Sequence, residues 1–351
     1  MLPDGSTCRY LGRTGQALAS WRLKEFCLYF SGRLSFAEVA KLLERLAGER
    51  LVCEQTLWNW AQQEAHELSE ALRAEVAAAR SLPKPTIAEE VDIYGASSEE
   101  VSVLTDAIQV KAQKPTRRRR GAGEPQLEEK KKKKVKRINT DLMLLQGRDG
   151  SFRHLSAGLE GTVGLREVAE AHLRTEWGEA SEALPVVAIA DGAWSIRSML
   201  VEIFGPSVVV IMDWYHLAKK VYQLLSMVAH SSEERKSLEE RVLSSLWHGR
   251  LSEALSFLGG VSARKEEALS ELLGYLKKHA SEIIDYERRA KAGKPIGSGR
   301  MEKAVDQAVG MRQKRKGMSW SEAGSHGLAL LKVIELNGEW DKLWDAAPVA
   351  A

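Results

Sequence analysis

The sequence predicts an α/β fold: a layered domain on a mixed sheet with flanking helices, preceded by a helical region and interrupted by an all-helical insertion. Three observations predict it. A β-rich segment at about 100–112, followed by RINTDLMLLQG and SFRHLSAG around the turn GRDG, reads as three strands, the last two a hairpin. The short apolar runs PVVAIA and SVVVIMD are bounded by helical segments, the pattern of strands covered on both faces. Residues 215–290 are rich in Leu, Glu, Lys and Ala and helical throughout.

The 351 residues suffice for two or three structural units. No apolar run approaches the roughly 20 residues that cross a bilayer, and the N-terminus lacks the basic-then-apolar layout of a secretory signal, so a cytoplasmic location is expected. Cys8, Cys27 and Cys53 are odd in number and show no C-x-x-C spacing, which speaks against a disulfide framework or a zinc site. Charge is concentrated: residues 117–137 hold eleven Lys or Arg against three Glu, +8 locally, so that the net +3 leaves −5 for the rest. That tract is too charged to fold alone and is expected to be a disordered loop inside a hairpin, either touching DNA without sequence preference or simply solvated.

Along the chain, residues 1–82 form a helical, helix-turn-helix-like region. Ser35 and Glu38 make a capping pattern, with Phe36, Val39, Ala40 and Leu43 at helical spacing up to Gly48. A second helix, EQTLWNWAQQEA, has Leu57, Trp58 and Ala61 on its apolar face. Its residues Gln55, Asn59 and Gln62 are candidate readers of DNA bases if the pair is a helix-turn-helix, and idle if the hairpin serves only packing. LPKPT at 82–86 marks a boundary. Residues 86–214 then hold the three strands, a helix at about 161–177, a strand, the helix SIRSMLVEIFG and a last strand. The helical insertion spans 215–292. Residues 293–345 carry GSGRMEKAVDQAVGMRQKRKGMSW, with Met301, Ala304, Val305, Ala308 and Met311 as its apolar stripe, and a final helix leading to WDKLW.

Three carboxylates stand out in this layout. Asp106 lies inside the first strand, among apolar residues where an unpaired charge is costly; Asp191 ends the PVVAIA strand, followed by Gly192. The two come side by side if the first strand is central. Glu302, early in the helix after KPIGSG, can complete the set. Three hard oxygen ligands suit Mg²⁺ or Mn²⁺, and two such ions about 4 Å apart serve phosphodiester chemistry on nucleic acid. Asp92 competes for the role of Asp106, and Asp306, one turn on, for that of Glu302.

The blocks VLTDAIQVKAQKPTR, PVVAIADGAWSI, VVVIMDWYHLAKKV and GSGRMEKAVDQAVGMRQKRKGMSWS resemble those of bacterial insertion-sequence transposases of the DDE type, most like the ISKra-like group, over about residues 86–345. The resemblance implies an RNase H-like catalytic core over 86–214 and 293–345. It places the metal-binding triad on Asp106, Asp191 and Glu302, with Asp213 and His216 of D-W-Y-H as a secondary motif beside the site. It further implies two Mg²⁺ ions, transposon-end and target DNA as partners, and a dimer or larger assembly on DNA.

Arg312, Lys314, Arg315 and Lys316, about three turns after Glu302, are candidate phosphate contacts or cations at a helix C-terminus. Trp194, Trp214 and Trp320 are expected in the core or as site walls rather than as stacking platforms. The expected function is end cleavage and strand transfer. The other readings are a DNA-binding protein of the same descent without activity, and a nuclease without strand transfer.

Overall fold

A computed structural model describes residues 20–114 and 136–345. The basic tract therefore falls almost wholly outside the described residues.

Three helices open the structure: α1 (Trp21–Ser31), α2 (Phe36–Ala47) and α3 (Glu54–Ala79). The expected capping box is present, with the Ser35 hydroxyl accepting from the Glu38 amide and the Glu38 carboxylate from the Ser35 amide. Gly48 ends α2 in the left-handed region at φ 79°. The 26 residues of α3 far exceed the expected short second helix, because its apolar spacing continues through Ala65 and Val76. Trp58, expected on the apolar face, is instead among the exposed hydrophobic side chains.

The sheet contains β1 (Val101–Lys111), β2 (Arg137–Gln146), β3 (Phe152–Ser156), β4 (Val186–Ala190) and β5 (Val209–Met212) in the order β3-β2-β1-β4-β5. β1, β2 and β3 pair antiparallel; β4 and β5 continue parallel to β1. β1 is thus central, as the pairing of Asp106 with Asp191 requires. The turn at 147–150 is closed by a Gly147 carbonyl accepting from the Gly150 amide, with Gly150 at φ 77°.

Alternation along the strands sends side chains into two cores. On one face Val101, Val103, Met143, Leu145, Val186 and Ala188 meet α4 (Leu165–Trp177) and α5 (Trp194–Phe204). On the other, Leu104, Ile108, Leu142, Val187, Ile189 and Ile211 meet α6 (Trp214–Val228) and the helices beyond it. The insertion continues with α7 (Ser232–Trp247), α8 (Leu251–Gly259), α9 (Glu266–Lys278) and α10 (Tyr286–Lys291). Its return to the sheet is fixed by Arg289, fully buried, whose guanidinium makes a two-pronged pair with Glu100 at 2.6 and 3.1 Å and donates to the carbonyls of Ile93 and Pro295.

The stretch that follows is α11 (Gly299–Val305), a π-helical turn (Asp306–Gly310) and α12 (Met311–Gln313). The π turn shifts the register of the expected apolar stripe: Met301, Ala304, Val305 and Ala308 are buried against the sheet, whereas Met311 is exposed. α13 (Glu322–Leu336) and α14 (Trp340–Asp345) close the chain. They share a core with the opening helices through Leu28, Ala61, Leu328, Leu331, Trp340 and Trp344. Among the described residues, no helix is long and apolar enough to cross a membrane.

Candidate active site

The parallel pairing of β1 with β4 sets Leu104 opposite Ile189. Two residues further along each strand bring Asp106 level with Asp191 and, by the alternation of side chains, onto the same face. β4 stops at Ala190 while β1 runs on to Lys111, so both carboxylates sit where the parallel ladder opens. Asp191 is turned by Gly192, whose φ of 83° suits glycine; a Cβ there would lie 2.5 Å from Met212 Cε and 2.9 Å from His279 Cε1. Asp106 Oδ1 accepts from the Ala107 amide at 2.7 Å, and Asp191 Oδ1 from the Ala193 amide at 2.9 Å.

α11 packs on β1, on the face that carries Asp106. Glu302 is exposed in its first turn, its amide bonded to the Ser298 carbonyl at 3.0 Å. Burial pushes the Asp106 carboxyl above its ordinary value; the Ala107 amide opposes this, while the charges of Asp191 and Glu302 raise it further. Asp191 and Glu302 are thus each within electrostatic reach of Asp106.

Asp213 has another task. It is 1% exposed and caps α6, its Oδ1 accepting from the Tyr215 and His216 amides at 2.7 and 3.0 Å and its Oδ2 from the Ser298 amide and hydroxyl. Burial alone would raise its pKa, but hydrogen bonds from His216 and Ser298 outweigh it and hold the group at about 2. Its oxygens are saturated, so Asp213 is an anchor that ties the start of α6 to the turn leading into the Glu302 helix. His216 Nδ1 stands 3.5 Å from Asp213 Oδ1, an ion-pair distance rather than a good hydrogen bond, and is otherwise buried without a partner. Asp213 raises the His216 pKa, burial opposes, and Asp106 and Asp191 add to the rise.

The two competing carboxylates sit differently. Asp92 is engaged in its own loop, accepting from the Tyr94 and Gly95 amides and the Ser98 hydroxyl. Asp306 belongs to the π turn and crowds Gly310, where a Cβ would lie 2.2 Å from its Oδ1.

Several expected DNA contacts are corrected by burial. Arg312 is 3% exposed, donates from Nε to the Ser31 carbonyl at 2.7 Å and lies over the Trp320 ring at 4.8 Å. It joins α12 to α1 and faces no solvent. Gln62 Nε2 is buried without a partner, because the long α3 turns that position toward α13. Gln55 and Asn59 remain exposed and bond each other at 3.0 Å. Lys314 and Lys316 are exposed, and Arg315 reaches back to the Arg33 carbonyl at 2.7 Å. Trp214 packs against Trp247 and Tyr286, as expected of a core residue.

Sequence reasoning missed Ser298, the network in which Glu282 pairs with Arg197 and His279 behind Gly192, and the Arg289–Glu100 pair. Only the placement of Ser298 inside G-S-G gave a signal; the other partners lie too far apart in sequence for spacing to reveal.

Among the described residues, no three His, Cys, Asp or Glu side chains are already gathered as a metal-ligand set. The donor chemistry nonetheless fits hard divalent cations: three carboxylates, one on β1, one just past β4 and one exposed on α11, with burial and then like charges raising the Asp106 pKa. Comparison with protein-family models finds no match, and neither does comparison with curated proteins.

Proposed function

We propose that the chain is a DNA phosphoryl-transfer enzyme of the DDE transposase type, with an RNase H-like core, that cuts transposon-end DNA and joins the freed 3′-hydroxyl to target DNA. The observation that carries this reading is the parallel pairing of β1 with β4 up to Leu104–Ile189, two residues before Asp106 and Asp191, with α11 packed on β1. The central position of β1 in the order β3-β2-β1-β4-β5 supports the same core.

In this reading Asp106, Asp191 and Glu302 hold two ions of the Mg²⁺ or Mn²⁺ class. Those ions, when bound, supply charge that activates the attacking oxygen and stabilises the leaving one. Asp106 and Asp191 are positioned by the sheet, and Glu302 by a helix whose first turn is tied to Asp213 through Ser298. Exposed Lys314 and Lys316 are placed to meet DNA phosphates, with Gln55 and Asn59 as base contacts if α3 enters a groove. The protein would act on cytoplasmic DNA in the bacterial nucleoid, as a dimer or larger assembly, since two ends must be processed together.

The test is cleavage and strand transfer on DNA carrying the element's terminal repeats, with Mg²⁺ or Mn²⁺, comparing the intact chain with Asp106→Asn and Glu302→Gln. Loss of both activities in both variants is expected. Equal cutting by either variant removes that residue from the site. DNA binding without cutting by the intact chain would favour a repurposed binding protein of the same descent, and cutting without joining a nuclease.

A further inference from the structure

Two large aromatic side chains close in sequence to the carboxylate residues are open to water. Trp194 is 73% exposed three residues after Asp191; Tyr215 is 62% exposed two residues after Asp213. They stand at the starts of α5 and α6, which follow the neighbouring strands β4 and β5 and lie on opposite faces of the sheet. Trp194 is therefore not a core residue, which corrects that half of the expectation of a core or wall residue.

The outer face of α6 extends this pattern. Tyr215, Lys219 and Tyr222 are spaced i, i+4 and i+7, which aligns them on one stripe, and Tyr222 is 47% exposed. Lys219 is exposed and makes no ion pair among the described residues, whereas the adjacent Lys220 is held by Glu271 at 2.6 Å. Gly297 lies against the Tyr215 ring, where a Cβ would come within 2.5 Å, so the ring rests on the turn that leads to Glu302. Flat rings alternating with an uncommitted cation match what an unpaired nucleic-acid strand offers, namely base faces to stack and phosphates to pair. A duplex keeps its base faces hidden and gains little from such rings.

We infer that Trp194 and the Tyr215–Lys219–Tyr222 stripe form a platform that holds an unpaired stretch of DNA beside the carboxylates. The inference rests on the phosphoryl-transfer reading for the identity of the strand, and it names the substrate state: DNA opened next to the scissile phosphate rather than an intact duplex.

The test uses the full chain and three fluorescent oligonucleotides of mixed sequence, single-stranded, duplex and forked, with affinity measured by anisotropy at fixed salt. Tighter binding of single-stranded and forked DNA than of duplex is expected. Trp194→Ala and Tyr215→Ala should each weaken single-strand binding by roughly ten- to hundredfold and duplex binding by less than about twofold, with Trp194→Phe and Tyr215→Phe retaining most of it. No single-strand preference, or equal losses on all three oligonucleotides, overturns the platform. So does a shift of either alanine variant to a smaller assembly in sedimentation, which would make the face a contact between copies. Cutting by an alanine variant at the intact rate on a duplex end defeats the platform alone. A single-strand preference in a protein that never cuts DNA defeats the enzymatic reading and leaves the platform standing.

Discussion

Asp106 lies two residues past Leu104 on β1, and Asp191 lies two residues past Ile189, the pairing partner of Leu104, just beyond the end of β4. The sheet fixes Asp106, whereas Asp191 is held by the end of β4 and by its bond from the Ala193 amide in the turn that follows. Burial is the main cause of the raised Asp106 pKa, and the charges of Asp191 and Glu302 add to it. A divalent cation bound there would favour the ionised form of the Asp106 carboxylate.

The anchor beside the site gives a pH prediction. The Asp213 pKa is depressed from 3.8 to about 2, so its stabilising contribution is present above the unfolded value and is lost as pH falls through the folded one. That difference corresponds to about 2 kcal/mol. Asp213→Asn should therefore be less stable than the intact chain by at least about 2 kcal/mol at pH 7 in urea unfolding, and the gap should narrow between about pH 4 and pH 2. A gap that stays constant through that window would assign the loss to hydrogen-bond geometry and not to charge.

Gly192 gives a steric prediction. With φ at 83° and a virtual Cβ 2.5 Å from Met212 Cε, alanine there is strained in its backbone and crowded at its side chain. Gly192→Ala should lower stability by roughly 1 to 3 kcal/mol in thermal unfolding. Adding Met212→Ala should lower stability further rather than restore it, because Met212 is fully buried and His279 Cε1 still lies 2.9 Å from the added Cβ. If Gly192→Ala alone unfolds like the intact chain, the turn after Asp191 is looser than its contacts indicate.

The legible part of this molecule was whatever spacing could encode. Strand runs, the Ser35–Glu38 cap and the helical insertion follow from periodicity, whereas the central place of β1 was only a condition in the sequence and is supplied by the sheet order. What periodicity does not carry is partner choice across long separations. The Asp213–Ser298 bonds span 85 residues, and the Arg289–Glu100 pair 189. The π turn at Asp306–Gly310 is a one-residue shift that no regular 3.6 pattern anticipates, and it misplaced Met311. Gln62 was misread for a related reason: α3 is long enough to be clasped by α13, so its faces are set by tertiary packing.

The same shift divides the basic cluster into two kinds of cation, and this is testable. Arg312 faces inward, over Trp320 and bonded to the Ser31 carbonyl; burial lowers its pKa to about 10. Truncating it leaves that carbonyl unpaired and removes packing against two aromatic rings, Phe36 and Trp320. Arg312→Ala should thus lower stability by roughly 2 to 3 kcal/mol, seen as an earlier urea midpoint at unchanged slope. Lys314 and Lys316 are exposed, so alanine there should change stability by less than about 0.5 kcal/mol. If they meet phosphates, each alanine should reduce the slope of log affinity against log salt by about 0.9, measured by anisotropy on duplex DNA over a potassium chloride series. Arg312→Ala, assayed well below its own unfolding midpoint, should leave that slope unchanged. A stable Arg312→Ala protein with a reduced slope would mean that the guanidinium reaches DNA and the α12–α1 contact is not its role.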